Sequence, residues 1–149
     1  MAKLTPQKRF TFSVNEWAAR VKPLVLSRVD PTEWTRLIAE AVCQTADWEY
    51  QKRSWFGLSA TEVGSADETF SRLFDDVDFD DFLKSPTVRL TDRQRELGDS
   101  LKDRMNLYAS QTPEHLNDAE VFGDPAWEEI RQAARRFLDA LEFGQAKTD

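Results

Sequence analysis

The residue types that build most small active sites are scarce in this chain, which has a single cysteine, Cys43, and a single histidine, His115. One cysteine excludes an intramolecular disulfide and a multi-cysteine zinc site, and a lone free thiol suits a reducing compartment. A Ser-His-Asp or Cys-His system would have to use His115, which falls in a polar turn with nothing to orient it, while Cys43 reads as a small packing residue within a helix. Glycine is sparse as well. Gly57, Gly64, Gly98, Gly123 and Gly144 lie far apart, so neither GxGxxG nor GxxxxGK[ST] occurs and phosphate cradling by either loop is excluded. There is no apolar run long enough to span a bilayer and no signal-peptide core. These absences lead to the expectation of a soluble, cytoplasmic protein that does not enter membranes. Positive charge is also in deficit, with 20 Lys and Arg against 27 Asp and Glu for a net charge of -7. That balance disfavours direct nucleic-acid binding and favours a basic protein partner.

What is present is apolar bulk and helical punctuation. Hydrophobic residues make up 40% of the 149, with ten Phe and five Trp, which is too much for a disordered acidic tail and enough for one core. Ser13-Val14-Asn15-Glu16 is a capping box with Phe12 and Trp17 at the staple positions, although Pro23 should interrupt the helix it opens. Asp30-Pro31-Thr32-Glu33 opens a second helix, with Val29 and Trp34 as its staple. The stripe Trp34, Leu37, Ile38, Ala41, Val42, Thr45 and Trp48 then predicts one continuous helix through Trp48. Further on, Ser59 with Glu62 competes with Ser65 and Glu68 as a start signal, and Gly64 favours the second. Phe70, Leu73, Phe74 and Val77 follow, then a short helix with Phe79, Phe82 and Leu83 that Ser85-Pro86 stops.

Thr91 to Gln94 opens a helix bearing Leu97, Leu101, Met105 and Tyr108, and Thr112-Pro113-Glu114 a short turn. Asp124-Pro125 starts the last helix, with Trp127, Ile130, Ala134, Phe137, Leu138 and Leu141 inward and Gly144 as its stop. No segment alternates like a strand. The fold class implied is all-α: one domain over residues 1–149, a bundle of five to seven helices, with 1–12 and 145–149 as loose ends.

Charge is concentrated in one place. The segment from Thr61 to Ser85 has eight acidic and two basic residues, so it carries nearly the whole net charge. Its centre is Asp75, Asp76, Asp78, Asp80 and Asp81, interleaved with Val77, Phe79 and Phe82. Clustered carboxylates need solvent, a cation or a basic partner, because burying them unpaired is too costly. Asp76, Asp78 and Asp80 open like an EF-hand loop, but Asp81 stands where glycine is required and Thr87 where a bidentate glutamate belongs. No metal and no cofactor is therefore expected. Glu128-Glu129, the other adjacent acidic pair weighed as catalytic, reads as first-turn residues favoured by the helix dipole.

The basic-aromatic stretch from Trp48 to Phe56 can be read as a base-stacking platform, but Lys52 and Arg53 suit a helix C-terminus and the rings suit packing between helices. Arg131, Arg135 and Arg136 read as a solvated helix face.

The partner-binding residues expected are thus Asp75, Asp76, Asp78, Asp80 and Asp81, with Trp55 as the tryptophan left available for an anchor. A small, acidic, cysteine-poor domain without a catalytic constellation fits a non-enzymatic immunity- or antitoxin-like inhibitor that masks a basic, nucleic-acid-cleaving toxin. Alternatives are a phage-type inhibitor or DNA mimic of a nucleic-acid-binding complex, a small carboxylate- or metal-dependent enzyme, and a helical scaffold subunit.

Overall fold

The computed structural model describes residues 30–111 and 117–148, with side chains up to Glu142. The capping box at Ser13, the Pro23 break, the Val29 staple, the turn at Thr112 and His115 lie outside the described residues. Within them the chain is entirely helical where it is regular. The elements are α1 (Pro31–Ala46), α2 (Trp48–Trp55), α3 (Ala66–Ser71), a π-helical turn (Arg72–Asp76), α4 (Phe79–Lys84), α5 (Asp92–Gln111), α6 (Asp118–Phe122) and α7 (Pro125–Thr148).

The start signals act as the sequence implies. Asp30 accepts from the Thr32 amide with Pro31 at the first helical position. Ser65 accepts from the Glu68 amide, and the competing Ser59 accepts from Glu62 without a helix following. Thr91 and Gln94 exchange both bonds of a capping box. Three outcomes differ from expectation. First, the helix predicted to run through Trp48 ends at Ala46, because Asp47 turns extended and caps α2 through the Tyr50 amide. Second, α6 is opened by a capping box of Asn117 with Glu120. Third, Gly144 does not stop α7, which continues to Thr148 through residues expected to be loose. One glycine costs a helix only about 1 kcal/mol and does not by itself end it.

The core is built around α7, whose buried Trp127, Ile130, Ala134, Phe137, Leu138 and Leu141 are the residues its periodicity predicts. Both α1 and α5 pack along it, while α3, the π turn and α4 lie across α1 and α5. Phe79 of α4 meets Phe137 with ring centroids 5.6 Å apart, which fixes α4 over the inward face of α7. Close approach there depends on Gly98: a Cβ at that position would lie 2.5 Å from Leu83 Cδ2 and 3.0 Å from Phe137 Cε1. Alanine would gain helix propensity but force two core side chains out of place. We expect Gly98→Ala to destabilise the fold by about 1–2 kcal/mol, read as a lowered denaturation midpoint at unchanged slope.

The interior also has a polar hub. Gln51 is fully buried, and its amide donates to the Gln44 and Thr45 carbonyls at 3.0 and 2.7 Å. Its carbonyl oxygen accepts from Trp127 Nε1 at 3.1 Å and Arg131 Nε at 2.8 Å. All four hydrogen-bonding positions of the side chain are therefore used. Arg131, expected on a solvated face, is buried, bonding also to Glu128 and the Phe122 carbonyl.

Candidate functional site

The acidic segment forms a corner rather than a helix face. After α3 the helix widens, with the Val77 amide bonding to the Arg72 carbonyl at 3.1 Å, five residues back. The extra residue in this turn breaks the helical register, and the chain reverses at Asp78, which has φ 56° and ψ 58°. Left-handed backbone disfavours most side chains, but aspartate tolerates it. The turn's apolar residues hold it in place. Leu73, Val77, Phe79 and Phe82 are buried, and Trp34 Nε1 donates to the Val77 carbonyl at 2.9 Å. At the other end, Arg72 binds Gln44 and reaches Tyr50.

The five carboxylates are consequently displayed from a fixed backbone. Asp76 and Asp81 are exposed, and Asp75, Asp78 and Asp80 are half-buried. Asp80 is held by Lys84 at 3.1 Å and Lys102 at 3.3 Å. The hydrogen bond from Lys84 chiefly holds its carboxyl below the usual range; partial burial opposes this and Lys102 assists it. The small stability these pairs contribute is therefore present above the ordinary aspartate pKa and lost as pH falls through the lowered one. Beside the corner, Phe70 and Phe74 stack with centroids 4.9 Å apart and remain half-buried. No three His, Cys, Asp or Glu side chains converge as a metal-binding group among the described residues.

Trp55, expected to be the available anchor, is buried instead. Only 6% of it is exposed, its Nε1 donates to Thr69 Oγ1 at 3.2 Å, and its ring packs on Trp127 and Phe122. Trp48, expected inward, is 44% exposed. The two exchange places because the new helix begun at Asp47 turns Gln51, Ser54 and Trp55 to the core. Cys43, expected to be a packing residue, is exposed on α1. Its thiol is raised above the ordinary value, first by partial burial and then by Asp47, with Arg135 opposing, so it is protonated and weakly nucleophilic at neutral pH.

The outward side of α7 holds a second feature. Trp48 joins Arg131, Gln132, Arg135, Arg136 and Glu128 around an open groove of about 370 Å³. The sequence signalled Trp48 only as part of a helix stripe and a basic-aromatic stretch and Glu128 only as one of an acidic pair, and it placed the three arginines on a solvated helix face, so nothing in it joined these residues into one site.

The fold and the acidic corner thus define a class, an all-α protein with a carboxylate-rich turn packed onto its core. Comparison with protein-family models, curated proteins and solved structures finds no match. No helix among the described residues is long and apolar enough to cross a membrane.

Proposed function

We propose that this chain is a non-enzymatic, cytoplasmic protein-binding module whose acidic corner engages a basic protein partner. Its most concrete form is an immunity- or antitoxin-like inhibitor that masks a basic, nucleic-acid-cleaving toxin. The observation that carries this reading is the pairing of charge with rigidity. Five carboxylates, two exposed and three half-buried, sit on a turn whose Leu73, Val77, Phe79 and Phe82 are fixed in the core. Opposite charge accelerates encounter with a basic surface, and a turn that is already ordered loses little entropy on binding. The half-buried Phe70–Phe74 stack supplies apolar area beside the charges, in the role expected of Trp55.

The test begins with affinity purification from the native cell, mass spectrometry of what co-elutes, and kinetics with the purified partner. Asp76, Asp78, Asp80 and Asp81 are then changed together to Asn, removing four negative charges from a chain of net -7. Asparagine is the right replacement because it tolerates the left-handed backbone at position 78 as aspartate does. Association should slow by about tenfold or more and lose most of its salt dependence, with the melting temperature nearly unchanged. Unchanged association kinetics would refute the reading. So would a large rise in wild-type melting temperature on adding millimolar Mg²⁺ or Ca²⁺ that the variant lacks, since that would make the corner a metal site.

A further inference from the structure

The groove on the outward side of α7 differs in charge and chemistry from the acidic corner. On a chain of net -7, it brings three arginines together against one glutamate. The glutamate is already committed, because Glu128 pairs with Arg131 at 2.7 Å. Arg135 and Arg136 are exposed and form no ion pair among the described residues. Guanidinium groups left unpaired beside one another are suited to carboxylates, which they bind through two parallel hydrogen bonds.

The groove continues into an exposed aromatic cluster. Trp48 lies 5.6 Å from Phe122 and Phe56 lies 5.3 Å from the same ring, with Trp48 44% and Phe56 39% exposed. The cluster is packed from below. Phe122 is held beneath by Trp55 at 6.2 Å and by the Arg131 guanidinium at 4.8 Å, and Arg131 is in turn fixed by Gln51. Tryptophan, phenylalanine and arginine on a preorganised surface are the residues that concentrate binding energy in protein interfaces, and contiguous exposed apolar area of this kind marks such interfaces. Phe79 packs on the inward face of α7 at Phe137, whereas Arg135 and Arg136 lie on its outward face, so this surface is separate from the acidic corner.

We propose that this face docks an acidic segment of a second protein, with its carboxylates on Arg135 and Arg136 and an apolar side chain against Trp48 and Phe56. The charge excess in the groove selects an anionic partner. The state of the Trp48 ring selects polypeptide over nucleic acid. Base stacking needs a free aromatic face, but the Trp48 ring already has the Lys52 ammonium over it at 5.1 Å and Phe122 against it, whereas an apolar side chain needs only the 44% of the residue that stays exposed. The overall negative charge also repels a long phosphate backbone, whereas a short acidic segment needs only the local field of the groove. The protein then carries two opposed recognition surfaces, one for each sign of charge, and this second one stands whether or not the acidic corner has the role proposed above.

The probe is a short fluorescein-labelled peptide alternating glutamate with phenylalanine and leucine, titrated with the full chain at low salt and read by fluorescence anisotropy. Wild type should bind it saturably. Arg135→Glu with Arg136→Glu should weaken binding by about tenfold or more at unchanged melting temperature. Separately, Trp48→Ala should weaken it as much with the helical fold retained, though its lost packing on Phe122 lowers the melting temperature. The fourfold Asn variant of the acidic corner should bind the peptide at least as well as wild type, so failure here is distinguishable from failure of the basic-partner reading. Three results would overturn the proposal. They are absence of saturable binding or equal binding by the variants, tighter binding of a single-stranded oligonucleotide of matched charge, and sedimentation of wild type alone as an oligomer that Arg135→Glu with Arg136→Glu dissociates, which would make the occupant a second copy of this chain.

Discussion

Replacing Gln51 with leucine should destabilise the domain by about 3–5 kcal/mol, although the two side chains are close in size and the site is fully buried. Leucine would satisfy the packing and remove every polar contact. Trp127 Nε1 and Arg131 Nε would lose their acceptor, and the Gln44 and Thr45 carbonyls would lose their donors. The charged member matters most, because Arg131 is only 5% exposed and cannot turn to solvent without giving up Glu128 and the Phe122 carbonyl as well. Arg131 keeps its ion pair with Glu128, but buried donors left without an acceptor cost about 1–3 kcal/mol each, and two of them, one on a charged group, are a large part of the 5–15 kcal/mol that stabilises an ordinary domain. Denaturant unfolding of Gln51→Leu should show a much lower midpoint. In Gln51→Leu with Arg131→Met the unsatisfied guanidinium N–H is gone, so the midpoint should recover in part. A leucine variant as stable as wild type would mean that the hub adds nothing to stability.

The hub also shows where the sequence was legible and where it was not. Asp30, Ser65, Thr91 and Asp124 announce their helices because a cap is a local device, a side chain bonding an amide two or three residues on. The α7 stripe is legible for the same reason of short range. Asp47 was hidden because apolar periodicity carries on through Trp48 as if α1 had not ended, and periodicity alone cannot register a cap inside a stripe. Glu49 in the first turn after Asp47, and the pairing of Asn117 with Glu120, were the available signals for the two missed starts. Missing the break at Asp47 exchanged the roles of Trp48 and Trp55.

Arg131 offered a different clue. It stands four residues after Trp127 and seven before Leu138, squarely on the buried stripe, and only its polarity suggested otherwise. The π turn left no pattern to read, since one extra residue in a helical turn is decided by what Val77 and Trp34 find in three dimensions. The acidic run itself was fully visible in the sequence. What was not visible is that it is built on a reversed turn with its apolar residues anchored.

One indole contributes to that anchoring from α1. Replacing Trp34 with alanine should cost about 3–5 kcal/mol, because the residue is only 7% exposed and its removal leaves a cavity between α1 and the turn. The loss would fall unevenly. Trp34 packs edge-on to Phe82 with centroids 5.5 Å apart and donates to the Val77 carbonyl, so it touches both sides of the reversal at Asp78. Trp34→Phe separates the two contributions by keeping most of the ring while leaving the Val77 carbonyl without its donor. That variant should lose about 1–3 kcal/mol, the cost of one buried unsatisfied acceptor together with slight underpacking. Its amide hydrogen exchange should quicken first in the turn from Arg72 to Phe82, at residues that are locally held, before α5 or α7 responds. If exchange in Trp34→Phe rises equally across α5 and α7, the indole stabilises the bundle as a whole and is not what fixes the acidic corner. If it rises in the turn alone, the order of the turn on which the corner's recognition role depends is traced to the Trp34 indole, through its hydrogen bond to Val77 and its packing on Phe82.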